Sequence, residues 1–123
     1  MLKSNLVMSY PYKSENRIQQ EMFMWHWNKY SHQRGLLFHI PNGGARSSRE
    51  GKLFKDIGVI PGVADLCYLH DGVAYFIEVK NALGKQSTKQ EKWEFRVRGE
   101  GFDYYIVRTL EEFQQIIQKI NVF

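Results

Sequence analysis

Hydrophobic and polar positions change period from one stretch of this chain to the next, and each period predicts an element. From Ser14 the spacing is helical. At about 100° per residue Glu15, Ile18, Gln19, Met22 and Trp25 fall on one stripe, with Ser14 as N-cap, Glu15 in the first turn and an end near Tyr30. Gly35 closes a turn, and Leu36-Leu37-Phe38-His39-Ile40 reads as a strand. The runs ADLCYLH and VAYFIEVK flank Asp71-Gly72, the dipeptide of a two-residue β-hairpin. Leu66, Tyr68, Tyr75, Ile77 and Val79 then share the hairpin's core-facing side. Ser87 caps a helix reaching Arg98, closed by Gly99 and Gly101, with Gln90, Trp93 and Val97 on one face and Lys89, Lys92 and Arg96 on another. Phe102 to Val107 is the last strand. The capping box Thr109-x-x-Glu112 opens an amphipathic helix carrying Phe113, Ile116, Ile117 and Ile120. This order predicts an α/β fold, a small mixed β-sheet flanked by helices, as a single domain over residues 1–123 with an N-terminal arm at 1–13.

The hairpin register carries the chemistry. A two-residue loop sets His70 opposite Val73 and so Asp65 opposite Glu78, and like charges directly opposed on paired strands are destabilising. A bound divalent cation is the simplest compensation. Glu78 and Lys80 point the same way while Val79 turns to the other face, so Asp65, Glu78 and Lys80 converge. Mg²⁺ (or Mn²⁺) takes ligands of this kind, the Val79 carbonyl adds a third, and a lysine beside the ion can hold an attacking water or offset phosphate charge.

Between these elements the composition shifts. The stretch from Pro41 to Gly62 is rich in glycine and carries Arg46, Arg49, Lys52 and Lys55. It reads as a loop holding a short helix from Ser47 to Asp56 whose basic side chains reach a phosphate backbone or stay solvated. Lys85, Lys89 and Lys92 extend that basic surface. Gly51-Lys52 lacks the other residues of a phosphate-cradling P-loop, so no nucleotide cofactor is expected.

The chain has 123 residues, 43% of them hydrophobic, which suits one core. Its net charge of +4 permits a polyanionic partner without requiring one. A lone cysteine, Cys67, excludes an internal disulfide and a Cys-rich zinc site. No apolar run has the length of a membrane span, and MLKSNLVMSYPYK lacks a secretory apolar region, so a cytoplasmic protein is expected.

Asp65 with Glu78-Val79-Lys80 resembles the D…(D/E)-x-K core of the PD-(D/E)XK nucleases. Asn42-Gly43-Gly44-Ala45-Arg46, Gly58-x-x-Pro61-Gly62-x-x-Asp65-Leu66 and Ser87-x-x-Gln90-x-x-Trp93 are similar to its VRR-NUC branch. The likeness runs from about Ser14 to Ile117, with Ala64 where the superfamily often has proline. It implies a restriction-endonuclease-like core and a metal-dependent DNA endonuclease of a bacterial or phage-infected cell, acting on branched DNA such as Holliday junctions as a homodimer. It further implies that Asp65, Glu78, Lys80 and Gln90 are catalytic and that a first-helix glutamate joins them. Glu15 is preferred there over Glu21, which lies about 120° around the helix. Gln90 has a second reading as the partner of Ser87 in a capping box. The alternatives are a non-catalytic nucleic-acid-binding or assembly module, and a hydrolase using His26, His32, His39 and His70. The histidines lack a metal-binding spacing.

Overall fold

The computed structural model describes residues 13–41 and 48–122, so Arg46 and the predicted helix start at Ser47 lie outside the described residues. The elements are α1 (Glu15–Lys29), β1 (Leu37–His39), α2 (Ser48–Asp56), β2 (Leu66–His70), β3 (Val73–Val79), α3 (Thr88–Gly99), β4 (Asp103–Val107) and α4 (Leu110–Ile120). They form a mixed four-stranded sheet in the order β1-β2-β3-β4. The first three strands are antiparallel neighbours, and β4 runs parallel to β3, reached through α3. The hairpin has the expected register, His70 opposite Val73 and Leu66 opposite Ile77. Asp71 and Gly72 take φ of 53° and 80°, the left-handed pair that a tight hairpin turn needs.

Alternation along the strands splits the sheet into two faces. Leu66, Tyr68, Ile77 and Val79 pack with Val107 against Ile18 and Met22 of α1 and Phe113 and Ile117 of α4. Tyr75 joins at the margin. On α1 the fully buried positions are Ile18, Met22 and His26, a four-residue recurrence, and Trp25 is half-buried beside Phe113. On the other face α3 lays Trp93 edge-on to Phe76 at 5.1 Å and against Tyr104 at 6.1 Å, while Phe102 meets Phe76 at 5.7 Å. Cys67 is buried and unpaired.

The caps act where their residues predict. The Ser14 hydroxyl accepts from the Arg17 N–H, Thr109 accepts from Glu112, and Ser87 and Gln90 form a reciprocal capping box. The predicted strands are trimmed at their ends, Leu36–Ile40 to three residues and Phe102–Val107 to five. Beneath α1, the amide of Gln33 accepts from the Tyr68 hydroxyl and donates to Asn121 Oδ1 at 2.8 Å. Asn121 Nδ2 donates back to Tyr68 at 2.9 Å, and His26 Nε2 lies 3.0 Å from Gln33 Oε1. Burial pushes His26 down in pKa, so it sits there neutral. Among the described residues no helix is long and apolar enough to cross a membrane.

Candidate metal and phosphodiester site

Three segments meet at one end of the sheet: the entry to β2, the exit of β3, and the first turn of α1. Asp65 lies in a bend one residue before the β2–β3 ladder begins. Its carbonyl accepts the Ile40 N–H at 2.8 Å, which ties it to the chain leaving β1. Its carboxylate accepts the Val79 N–H through Oδ2 at 2.7 Å. The opposition of Asp65 and Glu78 read from the sequence therefore takes the form of a carboxylate capping the end of the neighbouring strand. N–H and C=O of one strand residue leave on the same side, so the Val79 carbonyl faces the Asp65 side of β3.

Glu78 is 1% exposed, and its Oε1 has no hydrogen-bond partner. Burial pushes its pKa up to about 8, the charge of Asp65 adds to this, and Lys80 opposes it. Asp65 is also raised, chiefly by burial, with the Val79 N–H pulling the other way. Lys80 is 6% exposed, and its ammonium lies 3.5 Å from Glu78 Oε2 and 4.0 Å from Glu15 Oε2. Glu21 is instead held by Lys13 and Arg17 at 2.8 and 3.1 Å. Of the two glutamates on α1, Glu15 is the one that reaches this cluster. A buried carboxylate with an orphaned oxygen is costly, and a cation beside it would remove that cost. Among the described residues no three His, Cys, Asp or Glu side chains group to hold a metal by themselves. Two carboxylates and a carbonyl, with waters completing the shell, remain a fit for Mg²⁺.

Gln90 is half-buried, and its Oε1 accepts the Ser87 N–H at 2.8 Å, so its capping role is the one the structure displays. Arg49, Lys55, Lys85, Lys89 and Lys92 are exposed, and Lys52 is exposed but paired with Asp56 at 2.8 Å. The four histidines do not converge: His26 is in the polar cluster with Gln33, and His39 Nδ1 lies 2.9 Å from the Asp65 carbonyl.

Several supports were not legible in the sequence. Arg108, just past β4, donates through Nη1 to the carbonyls of Asn81 and Gly84, both at 2.7 Å, and clamps the turn after Lys80. That turn closes over the site: a Cβ on Gly84 would lie 2.9 Å from Glu15 Oε2 and 3.4 Å from Lys80 Cδ. The Lys80 N–H bonds the Val107 carbonyl at 3.0 Å, so β4 fixes both the lysine and its cover. Gly62, at φ +92°, runs against the first turn of α3, where a Cβ would stand 2.5 Å from the Lys89 carbonyl oxygen. Tyr104, buried beneath the site, keeps its phenolic proton, its pKa raised by burial and by the charge of Glu78.

No protein-family profile and no curated protein matches the chain. Solved structures are similar to it, among them two with related titles. One, titled "VRR_NUC domain protein", is 19% identical with a TM-score of 0.71, over 89% of this chain and 88% of that one. The other, titled "VRR_NUC domain", is 22% identical with a TM-score of 0.56, over 89% and 97%. The chain shares the mixed α/β fold of these two structures.

Proposed function

We propose that the chain is a divalent-metal-dependent endonuclease that hydrolyses phosphodiester bonds in DNA. The observation that carries this reading is the buried Glu78 carboxylate, with its orphaned Oε1, set between Asp65 and a buried lysine. A structural ion pair would satisfy that oxygen, whereas a cation site leaves it open. Asp65, Glu78 and the Val79 carbonyl would hold Mg²⁺ or Mn²⁺, which when bound polarises a phosphate and acidifies a water. Lys80, held between Glu78 and Glu15, presents its ammonium to the attacking water or to a phosphate oxygen, and Glu15 keeps it aimed. Gln90 has its amide N–H₂ to offer the lysine or the phosphate, since its carbonyl oxygen serves the cap.

Arg49, Lys55, Lys85, Lys89 and Lys92 would supply backbone contacts, with Lys52 released from Asp56. On branched DNA such as a Holliday junction, a homodimer would give one site per strand. This chemistry suits the cytoplasm of a bacterial or phage-infected cell.

The test is cleavage of labelled single strand, duplex, flap and four-way junction by wild type and Glu78→Ala, with Mg²⁺, Mn²⁺ or EDTA. Metal-dependent cutting that disappears in the variant is the expected result. DNA binding without cutting in either metal would overturn it in favour of a non-catalytic binding module.

A further inference from the structure

One side chain of the edge strand contacts both the entry to β2 and the first half of α1, two of the segments that build the carboxylate site. His39 ends β1, and its partner across the ladder is Leu66. The next pair along is Ile40 with Asp65, whose carbonyl takes the Ile40 N–H at 2.8 Å. The His39 ring reaches past its own ladder partner to the same carbonyl, with Nδ1 at 2.9 Å. Nδ1 also lies 3.2 Å from the side-chain amide of Gln19 on α1. Gln19 stands one turn beyond Glu15, on the same stripe of the helix.

The chemistry of these contacts fixes where the ring carries its proton. A backbone carbonyl only accepts, so Nδ1 holds the hydrogen and donates it to Asp65. A donating ring nitrogen needs an acceptor from Gln19 as well, and the amide supplies one with its oxygen turned toward the ring, an orientation of the same shape. The Asp65 carbonyl thereby receives two donors, Ile40 N–H and His39 Nδ1–H, which occupy both its lone pairs. Its carboxylate is fixed from the other strand by the Val79 N–H at 2.7 Å. Asp65 is therefore held at both ends, although it precedes the β2–β3 pairing. The Gln19 contact ties α1 to β1 one turn from the Glu15 carboxylate, which lies 4.0 Å from Lys80 Nζ.

Resting on the nuclease reading, we propose that His39 is a positioning residue. Through Nδ1 it sets Asp65, and through Gln19 it sets Glu15, at the spacing that the metal and Lys80 require, while itself touching neither metal nor phosphate. His39 is exposed, so its hydrogen bonds add little to the stability of the fold. Their effect falls on geometry: a carboxylate displaced by a fraction of an ångström from its place beside Glu78 loses metal affinity out of proportion to the bond that held it.

The test measures Mn²⁺ binding to metal-free protein without DNA, by electron paramagnetic resonance. His39→Ala should weaken Mn²⁺ about tenfold, with little change in melting temperature. His39→Asn, whose amide nitrogen falls near the place of Nδ1, should recover most of that loss, whereas His39→Gln, whose nitrogen falls near Nε2, should not. Adding Gln19→Ala to His39→Ala should cost little more than His39→Ala alone, because the link to α1 runs through the ring. A second measurement needs no variant: nitrogen–proton correlation NMR of histidine-labelled wild type should find the neutral His39 ring protonated on Nδ1. Unchanged Mn²⁺ affinity in folded His39→Ala, recovery by His39→Gln but not His39→Asn, additive losses from the two alanine substitutions, or a neutral ring protonated on Nε2 overturns the proposal. Wild type that binds no Mn²⁺ overturns it together with the metal site. Absence of cleavage by wild type, with the Mn²⁺ pattern intact, refutes the nuclease reading alone, since neither measurement depends on cleavage.

Discussion

Replacing Glu78 with glutamine removes a charge while keeping the shape of the side chain, and in metal-free protein it is expected to stabilise the fold. The folded protein holds the Glu78 proton up to about pH 8, whereas the ordinary value is 4.5. Between those values the unfolded chain has released a proton that the folded chain retains, so each pH unit costs the fold about 1.4 kcal/mol. Stability that is whole below about pH 4.5 is therefore lost as pH rises, by about 3 kcal/mol at pH 7 and about 5 kcal/mol at pH 8 and above. Against a typical total of about 5–15 kcal/mol this is a large share. Glutamine does not ionise and escapes the loss. Urea unfolding of wild type and Glu78→Gln in EDTA, from pH 4.5 to 8.5, gives the difference directly and cancels most other titrating groups. The difference should grow steadily with pH and level off near pH 8. Mg²⁺ should narrow it by stabilising wild type more than the variant, because an ionised carboxylate holds a hard cation more strongly than an amide oxygen. A difference that stays flat between pH 5 and 8, or equal stabilisation of both proteins by Mg²⁺, would refute the reasoning.

Two further substitutions test the supports. Gly62→Ala forces a side chain into a left-handed backbone and against the Lys89 carbonyl, and should cost about 2 kcal/mol or more by urea unfolding; a loss under about 0.5 kcal/mol would show that the close approach is not needed. Arg108→Ala releases the Asn81–Gly84 turn from two charged hydrogen bonds and should lower kcat at least tenfold with KM little changed, while a variant that melts lower but retains wild-type kcat would reduce the clamp to a purely structural role.

The parts of the site that follow from local geometry were legible in the sequence. Asp71-Gly72 fixed which residues pair across the hairpin, and alternation then put Glu78 and Lys80 on one side with Val79 in the core. The helical stripe put Glu15, rather than Glu21, toward Lys80. What was not legible depends on contacts between distant segments. The Asp65 carboxylate turns to the Val79 N–H while its carbonyl continues the β1–β2 pairing to Ile40, which no hairpin rule anticipates. The Arg108 clamp and the Gly84 cover require β4 to lie beside β3, and a parallel neighbour leaves no turn signature. Gly62 stood in the motif without a reason, and its reason is the backbone of α3 against it.

The polar cluster under α1 closes into a circuit: Gln33 donates to Asn121, Asn121 to Tyr68, and Tyr68 back to Gln33. Each member must give a proton on one side and receive one on the other, and such a cycle has one internal direction in which every bond polarises the next. That bars charge mimicry. A carboxylate at position 33 or 121 would only accept, and would break the cycle at its donating side. The same direction dictates which way both amides are turned and leaves the Gln33 oxygen facing His26 as an acceptor, so His26 keeps its proton on Nε2. Three segments far apart in the chain are thus joined by proton bookkeeping as well as by apolar contact, and the amino-acid alphabet at those positions narrows to side chains that can do both.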